Sequence, residues 1–379
     1  MNMIRRKKKK VLKLTLGILA LYLLWSSFLF LRYSSPKPSQ AAPNPREIVG
    51  IYHVHSTFSD GTKTPEDIAN VAAQQDLDFV ILTDHGHPNF DSLASEGWQQ
   101  DVLLLAGSEL SVNRGHLVAL GFATPPRPFS LTAELAAAQI AQAQGFTVIA
   151  HPYSKVHWTW GDHTGYTGIE ILSADAILRK NFVRLIPVLP LIAIKPRIAV
   201  LKILQRRTRN LRKWDELCRK FVLYGFYSCD AHLWYGPLFS SLRLHVLLEK
   251  DLPKDFAEAR QAVFAAIKRG RFFNAVDAAA PSQGFRFWGQ GPGGRIEMGS
   301  TTSLLPVNFQ IQAPPGLACE VRLLQDGRIV LRSSEEEIAF AATQPGSYRV
   351  EVLLKEATPM SPSCPWILSN PIFIRKNQP

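Results

Sequence analysis

Cysteine is scarce in this chain: four residues among 379 (Cys218, Cys229, Cys319 and Cys364), with no C-x-x-C pair. That excludes a disulfide scaffold. Cys319 and Cys364 share the C-terminal portion, where an oxidising compartment would permit pairing; two buried thiols fit as well. No cysteine closely follows the N-terminal apolar run, which argues against a lipid-anchored lipoprotein. A dinucleotide loop is also missing. Gly289-Gln290-Gly291-Pro292-Gly293-Gly294 matches G-x-G-x-x-G only formally, since it holds a proline and precedes no helical pattern. Nor is there a general basic surface, despite a net charge of +12. Eight basic residues and no acid precede Ser35, and thirteen basic residues against Asp215 and Glu216 lie between Ala176 and Lys220. The rest is acidic on balance, so nucleic acid is not an expected partner.

What is present begins with Val11–Leu31, an apolar run broken only by Lys13. About 20 apolar residues cross a bilayer as a helix. The run is longer than the ~7–15 apolar residues of a cleaved signal peptide, so we expect an uncleaved anchor in residues 1–33; Ala41-Ala42 is the cleavage point under the other reading. The basic leader Arg5–Lys10 places the remainder outside the cytoplasm by the positive-inside rule. The expected location is a bacterial inner membrane, spanned once. Residues 34–46 carry Pro36, Pro38, Pro43 and Pro45 and read as a tether of at most ~40 Å.

With 46% apolar residues, the rest can bury a large core and suggests one large domain plus a smaller one. From Glu47, short apolar runs alternate with helical patterns, as in βα units on a parallel sheet. Thr64-Pro65-Glu66-Asp67 has the cap, proline and acid of a helix start. The runs are 46–53, 77–82, 102–106, 116–122, 146–150, 168–172 and 221–228. Residues able to bind metal stand where these runs end or start. His53-Val54-His55 is followed by Asp60. Thr83-Asp84-His85, Gly107-Ser108-Glu109, His116, His151-Pro152 and Asp230-Ala231-His232 come after it. Strand alternation places His53 and His55 on one side. In barrels of parallel strands the active site sits at the C-terminal strand ends, so six of the ten histidines converge on one rim with Asp60, Glu109 and Asp230. Imidazole and carboxylate in that number indicate a site for several divalent ions.

The ordered set from His53 to His232 resembles the PHP (polymerase and histidinol phosphatase) superfamily over about residues 47–280, with all nine ligand positions filled. The resemblance implies a distorted (β/α)7, TIM-like barrel. It implies two or three divalent ions (Zn, Mn or Fe) and hydrolysis of a phosphoester by metal-activated water. One ion would take His53, His55, Glu109 and Asp230; a second would share Glu109 and add His116 and His151; a third would take Asp60, His85 and His232. The Asn113–Leu117 wording and the C-terminal β module look more like the membrane-linked and carbamate-hydrolase branch. A carboxyl, amide or carbamate ester, or a non-catalytic envelope-binding role, therefore stays open beside a small phosphoester substrate. Asp84 is a candidate to orient a ligand or to cap a helix. Lys155, His157 and His163 are candidates to meet an anionic substrate, or exposed loop residues; His87 and His245 receive no role.

We expect the barrel over residues 47–288. It is interrupted by a basic amphipathic insert, 176–219, where Pro187, Pro190 and Pro196 break the apolar run. This insert is expected on the anionic membrane surface, as a lid, or as a solvated hairpin. A Gly-rich linker (289–296) then leads to a β-sandwich (297–379), with Asp326-Gly327 as a hairpin turn.

Overall fold

The structure is a computed structural model that describes residues 2–33, 39–125, 127–154, 165–192 and 194–376. Helix α1 (Asn2–Arg32) contains a segment, Arg5–Arg32, long and apolar enough to cross a membrane by length and composition. Its apolar side chains from Val11 to Leu24 point outward, whereas Ser26 and Leu29 are buried.

The body opens with β1 (Glu47–Val54), α2 (Pro65–Ala73), β2 (Phe79–Leu82), α3 (Phe90–Ala94), β3 (Gly97–Gln99) and β4 (Val102–Ala106). Strands β1, β2 and β4 are parallel neighbours. They are buried on both faces, as parallel strands covered by helices must be. Helix α2 starts as its sequence requires: the Thr64 hydroxyl accepts from the Asp67 amide at 3.2 Å, Pro65 follows, and Ile68 and Ala72 turn inward.

A second sheet holds β5 (Ser108–Val112), β6 (Gly115–Leu120), β7 (Phe146–Ile149), β8 (Gly168–Ser173) and β9 (Tyr224–Ser228) in that order, with α4 (Ala133–Gln142) between β6 and β7. In this sheet the expected parallel pattern fails at β6. Strand β6 is antiparallel to both β5 and β7, because only Asn113 and Arg114 separate it from β5 and so short a connection can only reverse the chain. The start of β6, with His116, therefore meets the same rim as the ends of the parallel strands. The two sheets touch at both margins through the His85–Glu109 and Val54–Ala231 bridges.

Between β8 and β9 lie α5 (Ala174–Asn181), a 3₁₀ helix (Phe182–Leu191), α6 (Pro196–Ile203) and α7 (Thr208–Cys218). The basic insert at 176–219 forms four helical pieces. Helix α7 is a packed crossover helix: Trp214 is fully buried, and Asn210 donates to the carbonyl of Ile171 at 3.0 Å. Part of the basic charge is neutralised internally. Arg206 makes two bonds to Glu351 (2.6 and 3.0 Å), and Arg349 spans Asp215 (2.8 and 2.9 Å) and Glu351 (2.7 Å).

Next come α8 (Tyr235–Phe239), β10 (Leu242–Leu247), α9 (Phe256–Lys268) and β11 (Phe272–Val276), with β10 antiparallel to β1 and β11. The C-terminal region is β-rich: β12 (Arg286–Gly291), β13 (Gly294–Glu297), β14 (Thr301–Thr302), β15 (Val307–Gln312), β16 (Cys319–Gln325), β17 (Arg328–Ser333), β18 (Glu337–Ala342), β19 (Gly346–Leu354), β20 (Ile367–Ser369) and β21 (Ile372–Ile374). The expected linker at 289–296 is instead a hairpin, β12–β13, which also pairs with β15. The remaining strands do not close a separate sandwich. Strand β20 pairs with both β19 and β11, so one sheet runs unbroken from β1 through β10 and β11 into the C-terminal region. A four-stranded sheet, β13-β12-β15-β18, covers it, with the Phe309 and Tyr348 rings 4.9 Å apart. All four cysteines are buried free thiols.

Candidate metal centre

The rim at the ends of β1, β2 and β9 gathers all nine of the expected residues. Strand β1 delivers the first two by a route that alternation does not describe. His53 has φ +66°, and the register with β2 slips between Tyr52 and Val54, so His53 forms a bulge. The backbone of 229–231 then docks on β1. Cys229 N–H donates to Tyr52 O (3.2 Å), Ala231 N–H to His53 O (3.2 Å), and His55 N–H to Ala231 O (3.0 Å). Asp230, at φ +51°, is thereby set against both histidines. Left-handed backbone at non-glycine residues costs on the order of 1–3 kcal/mol each and persists where surrounding contacts impose it. Glu109 arrives from β5, its N–H donating to Thr83 O at 3.1 Å.

Four atoms converge as a result. His53 Nε2 lies 3.3 Å from Glu109 Oε2 and 3.4 Å from Asp230 Oδ1; His55 Nε2 lies 3.2 and 3.4 Å from the same two oxygens. Ligands about 2.0 Å from a tetrahedral ion stand about 3.3 Å apart. Among the described residues neither Nε2 has a hydrogen-bond partner, although both histidines are fully buried. An orphaned buried polar atom is costly, and two facing two carboxylates fit a shared cation.

Two further groups adjoin this one. Asp60 Oδ2 is 3.3 Å from His232 Nε2 and 3.8 Å from His85 Nε2, and its Oδ1 is 3.5 Å from His55 Nδ1. On the other side, Glu109 Oε1 is 2.8 Å from both His116 Nδ1 and His151 Nε2, while His85 Nδ1 is 3.5 Å from Oε2. The groups able to hold a cation are thus His53-His55-Glu109-Asp230, His55-Asp60-His85-His232 and His85-Glu109-His116. The first matches the expected set. The other two differ: His85 faces both groups, one ring nitrogen to each, His55 joins Asp60, and His151 lies beside Glu109 without completing a group.

The electrostatics demand positive charge here. Burial raises the Glu109 carboxyl, but His53, His116 and His151 outweigh it and hold it well below the ordinary range; Asp230 is depressed in the same way by His53 and His55. Burial lowers His53, His55 and His151, but for these three the carboxylates win, whereas at His85 burial prevails and the value stays below the usual one. Glu170, Asp230 and Glu109 raise His53 well above its usual value, and His55 and His151 are each pushed to about 9. Protons or metal cations can meet that demand.

Glu170 has no role in the sequence reading but a clear one here. Fully buried in β8, it accepts from His53 Nδ1 at 2.6 Å and from the His151 backbone N–H at 2.7 Å. It therefore fixes the His53 tautomer that turns Nε2 toward the cation position. The signal was a carboxylate inside an apolar run. His232 is fixed likewise, its Nδ1 donating to the Asp230 carbonyl at 3.0 Å. Asp84 caps no helix among the described residues and acts instead on the loop of another ligand, Asp60. It accepts from Ser56 N–H (2.7 Å), Ser56 Oγ (2.7 Å) and Ser59 Oγ (2.6 Å), pinning the loop that carries Asp60. Gly61 closes that loop against β1, where a Cβ would stand 2.2 Å from the His55 carbonyl oxygen. Lys155, His157 and His163 lie outside the described residues.

Residues 52–186 match the family model described as PHP domain. An uncharacterized protein of Methanocaldococcus jannaschii is 27% identical over 124 residues, covering 31% of this chain and 70% of its own length. A two-domain protein of Bacteroides vulgatus, described as containing a predicted PHP-like metal-dependent phosphoesterase, aligns at 14% identity and a TM-score of 0.43 over 89% of this chain and 99% of its own. An amidohydrolase of Chromobacterium violaceum, solved with sulfate and no metal, aligns at 18% identity and a TM-score of 0.33, covering 48% and 87%. The His53–His151 part of the ligand set lies inside the segment that matches the PHP domain model.

Proposed function

We propose that this chain is a membrane-anchored, divalent-metal-dependent hydrolase acting on phosphoesters. The observation that carries the reading is the pair of buried, partnerless imidazole nitrogens of His53 and His55 facing Glu109 and Asp230 at 3.2–3.4 Å. His53, His55, Glu109 and Asp230 would hold one cation, with Asp60, His85, His116, His151 and His232 holding one or two more; donors of this type suit Zn, Mn or Fe. Bound cations supply water activation and neutralise charge on the ester oxygens.

The chain's own residues orient and position. Glu170 holds His53 in one tautomer, and Asp84 fixes the loop that presents Asp60 at the solvent mouth, where its side chain is 56% exposed. The stitched sheets fit the two halves of a distorted (β/α)7 barrel, which takes residues 47–288 as the catalytic unit. Helix α1 serves as the anchor, with Arg5–Lys10 cytoplasmic and the metal centre on the far side of a bacterial inner membrane.

The test is a panel of chromogenic phosphomonoesters, phosphodiesters and carboxyl esters with each metal in turn. Phosphoester turnover that vanishes on chelation and returns with metal supports the proposal. Turnover of carboxyl or carbamate esters alone would move the activity to that class, and retained metal with no turnover would leave a binding module.

A further inference from the structure

Beside the metal centre is a narrow pocket of about 50 Å³. Its lining includes Asp230 and His232, residues of two cation-holding groups, together with Asp175. The rest of its lining is largely apolar: Leu185, Val200, Ile203 and Leu238 are buried, and Leu178 and Trp234 are partly exposed. A lining that sets metal-binding side chains beside hydrocarbon sorts its ligand by the same two properties.

The pocket wall is also the part of the body that meets the membrane helix. Helices α5 and α6 flank the 3₁₀ helix Phe182–Leu191, and this lies on α1: the Tyr22 hydroxyl donates to the Ile186 carbonyl. Lys195 donates to the carbonyls of Phe30 (3.2 Å) and Tyr33 (3.4 Å) at the C-terminal end of α1, and its ammonium sits 3.9 Å from the Phe30 ring centre. The same segment turns Val183, Ile186, Leu189 and Ile194 outward, all at least half exposed. An apolar surface therefore runs from the end of the bilayer-length helix, over the 3₁₀ helix, to the pocket and the metal ligands.

We propose that this pocket takes the hydrocarbon chain of an amphiphilic phosphoester presented from the bilayer, with its phosphate at the Asp230–His232 rim. The proposal names the substrate class and rests on the metal-hydrolase reading above. The segment between α5 and α6 is then a chain-binding wall beside the membrane, which gives its exposed apolar residues a purpose that a solvated hairpin does not.

The test uses the full chain in lipid nanodiscs, zinc-loaded, titrated with soluble 1-alkylphosphonates from ethyl to octyl. The readout is Trp234 fluorescence, taken as the difference between the unsubstituted protein and W234F. Affinity is expected to rise about fourfold per methylene until the pocket fills, from ~0.8 kcal/mol per buried CH2 at ~1.4 kcal/mol per tenfold. L178W, which fills the pocket, is expected to flatten that dependence. Affinity independent of chain length in the unsubstituted protein would overturn the proposal, as would an unchanged slope in a folded L178W. Chelation separates the two readings. Loss of overall affinity with the slope kept supports both, a slope with no metal dependence sinks the hydrolase reading alone, and metal dependence without a slope sinks the pocket alone.

Discussion

Strand β1 begins and ends in buried clusters of histidine and carboxylate, and the two obey opposite rules. At its start, His245 is saturated: Nδ1 meets Glu47 at 2.9 Å, Nε2 meets Asp277 at 3.0 Å and Ser282 Oγ at 2.9 Å. Arg286 pairs with Glu47 and Arg243 lies near Asp277, so the charges balance inside the protein. At its end, His53 and His55 each keep one buried nitrogen with no partner, and Glu109 and Asp230 face them without compensating cations from Lys or Arg among the described contacts. A closed cluster holds two strands together. An unfilled one is arranged for something added later. The same residue types thus give scaffold or site according to whether the last hydrogen bond is made.

Substitutions sharpen this contrast in a graded order. D230N or H53A removes a ligand from the unfilled cluster; bound metal and turnover should both fall by more than the about 10–100-fold typical of losing an outer partner, checked by elemental analysis and steady-state kinetics. E170Q leaves every ligand in place but weakens the acceptor for His53 Nδ1, so metal affinity and kcat should fall by about 10–100-fold, read by competition with a fluorescent chelator. D84N releases the Asp60 loop from a charged acceptor, at about 1.5–3 kcal/mol per hydrogen bond lost. It should raise KM and selectively weaken the cation beside Asp60, with the one held by His53, His55, Glu109 and Asp230 retained.

H245Q at the closed end should leave metal content and kcat unchanged while lowering stability. Burial depresses His245, but Asp277 and Glu47 push it up to about 9. A folded-state value above the unfolded ~6.5 contributes stability that is complete below pH ~6.5 and is lost as pH rises through 9, on the order of 3 kcal/mol in all. Denaturant midpoints measured across that range should slope downward in the unsubstituted protein and flatten in H245Q. A change in metal content in H245Q would erase the distinction between the clusters.

Much of this was legible in the sequence, because its signals are local. Thr64 and Asp255 cap α2 and α9 through the Asp67 and Glu258 amides. Asp326 and Gly327, at φ +51° and +81°, make the turn between β16 and β17. Ligand residues at the ends of apolar runs converge because strand ends share a rim. What escaped depends on neighbours distant in sequence. The bulge at His53 is imposed by 229–231 docking on β1, and the role of Glu170 exists only because β8 passes beneath both His53 and His151. Continuity of the sheet from β11 into β20 is set by tertiary pairing, which no window of residues encodes. The reversal at β6 was readable in principle, from the two-residue connection at Asn113-Arg114.

The most direct test is the metal content of the purified full-length protein beside D230N and H245Q. The account predicts at least about one tightly held Zn, Mn or Fe per chain in the unsubstituted protein and in H245Q, and its loss in D230N. Substoichiometric metal in the unsubstituted protein, or equal metal in D230N, would contradict it.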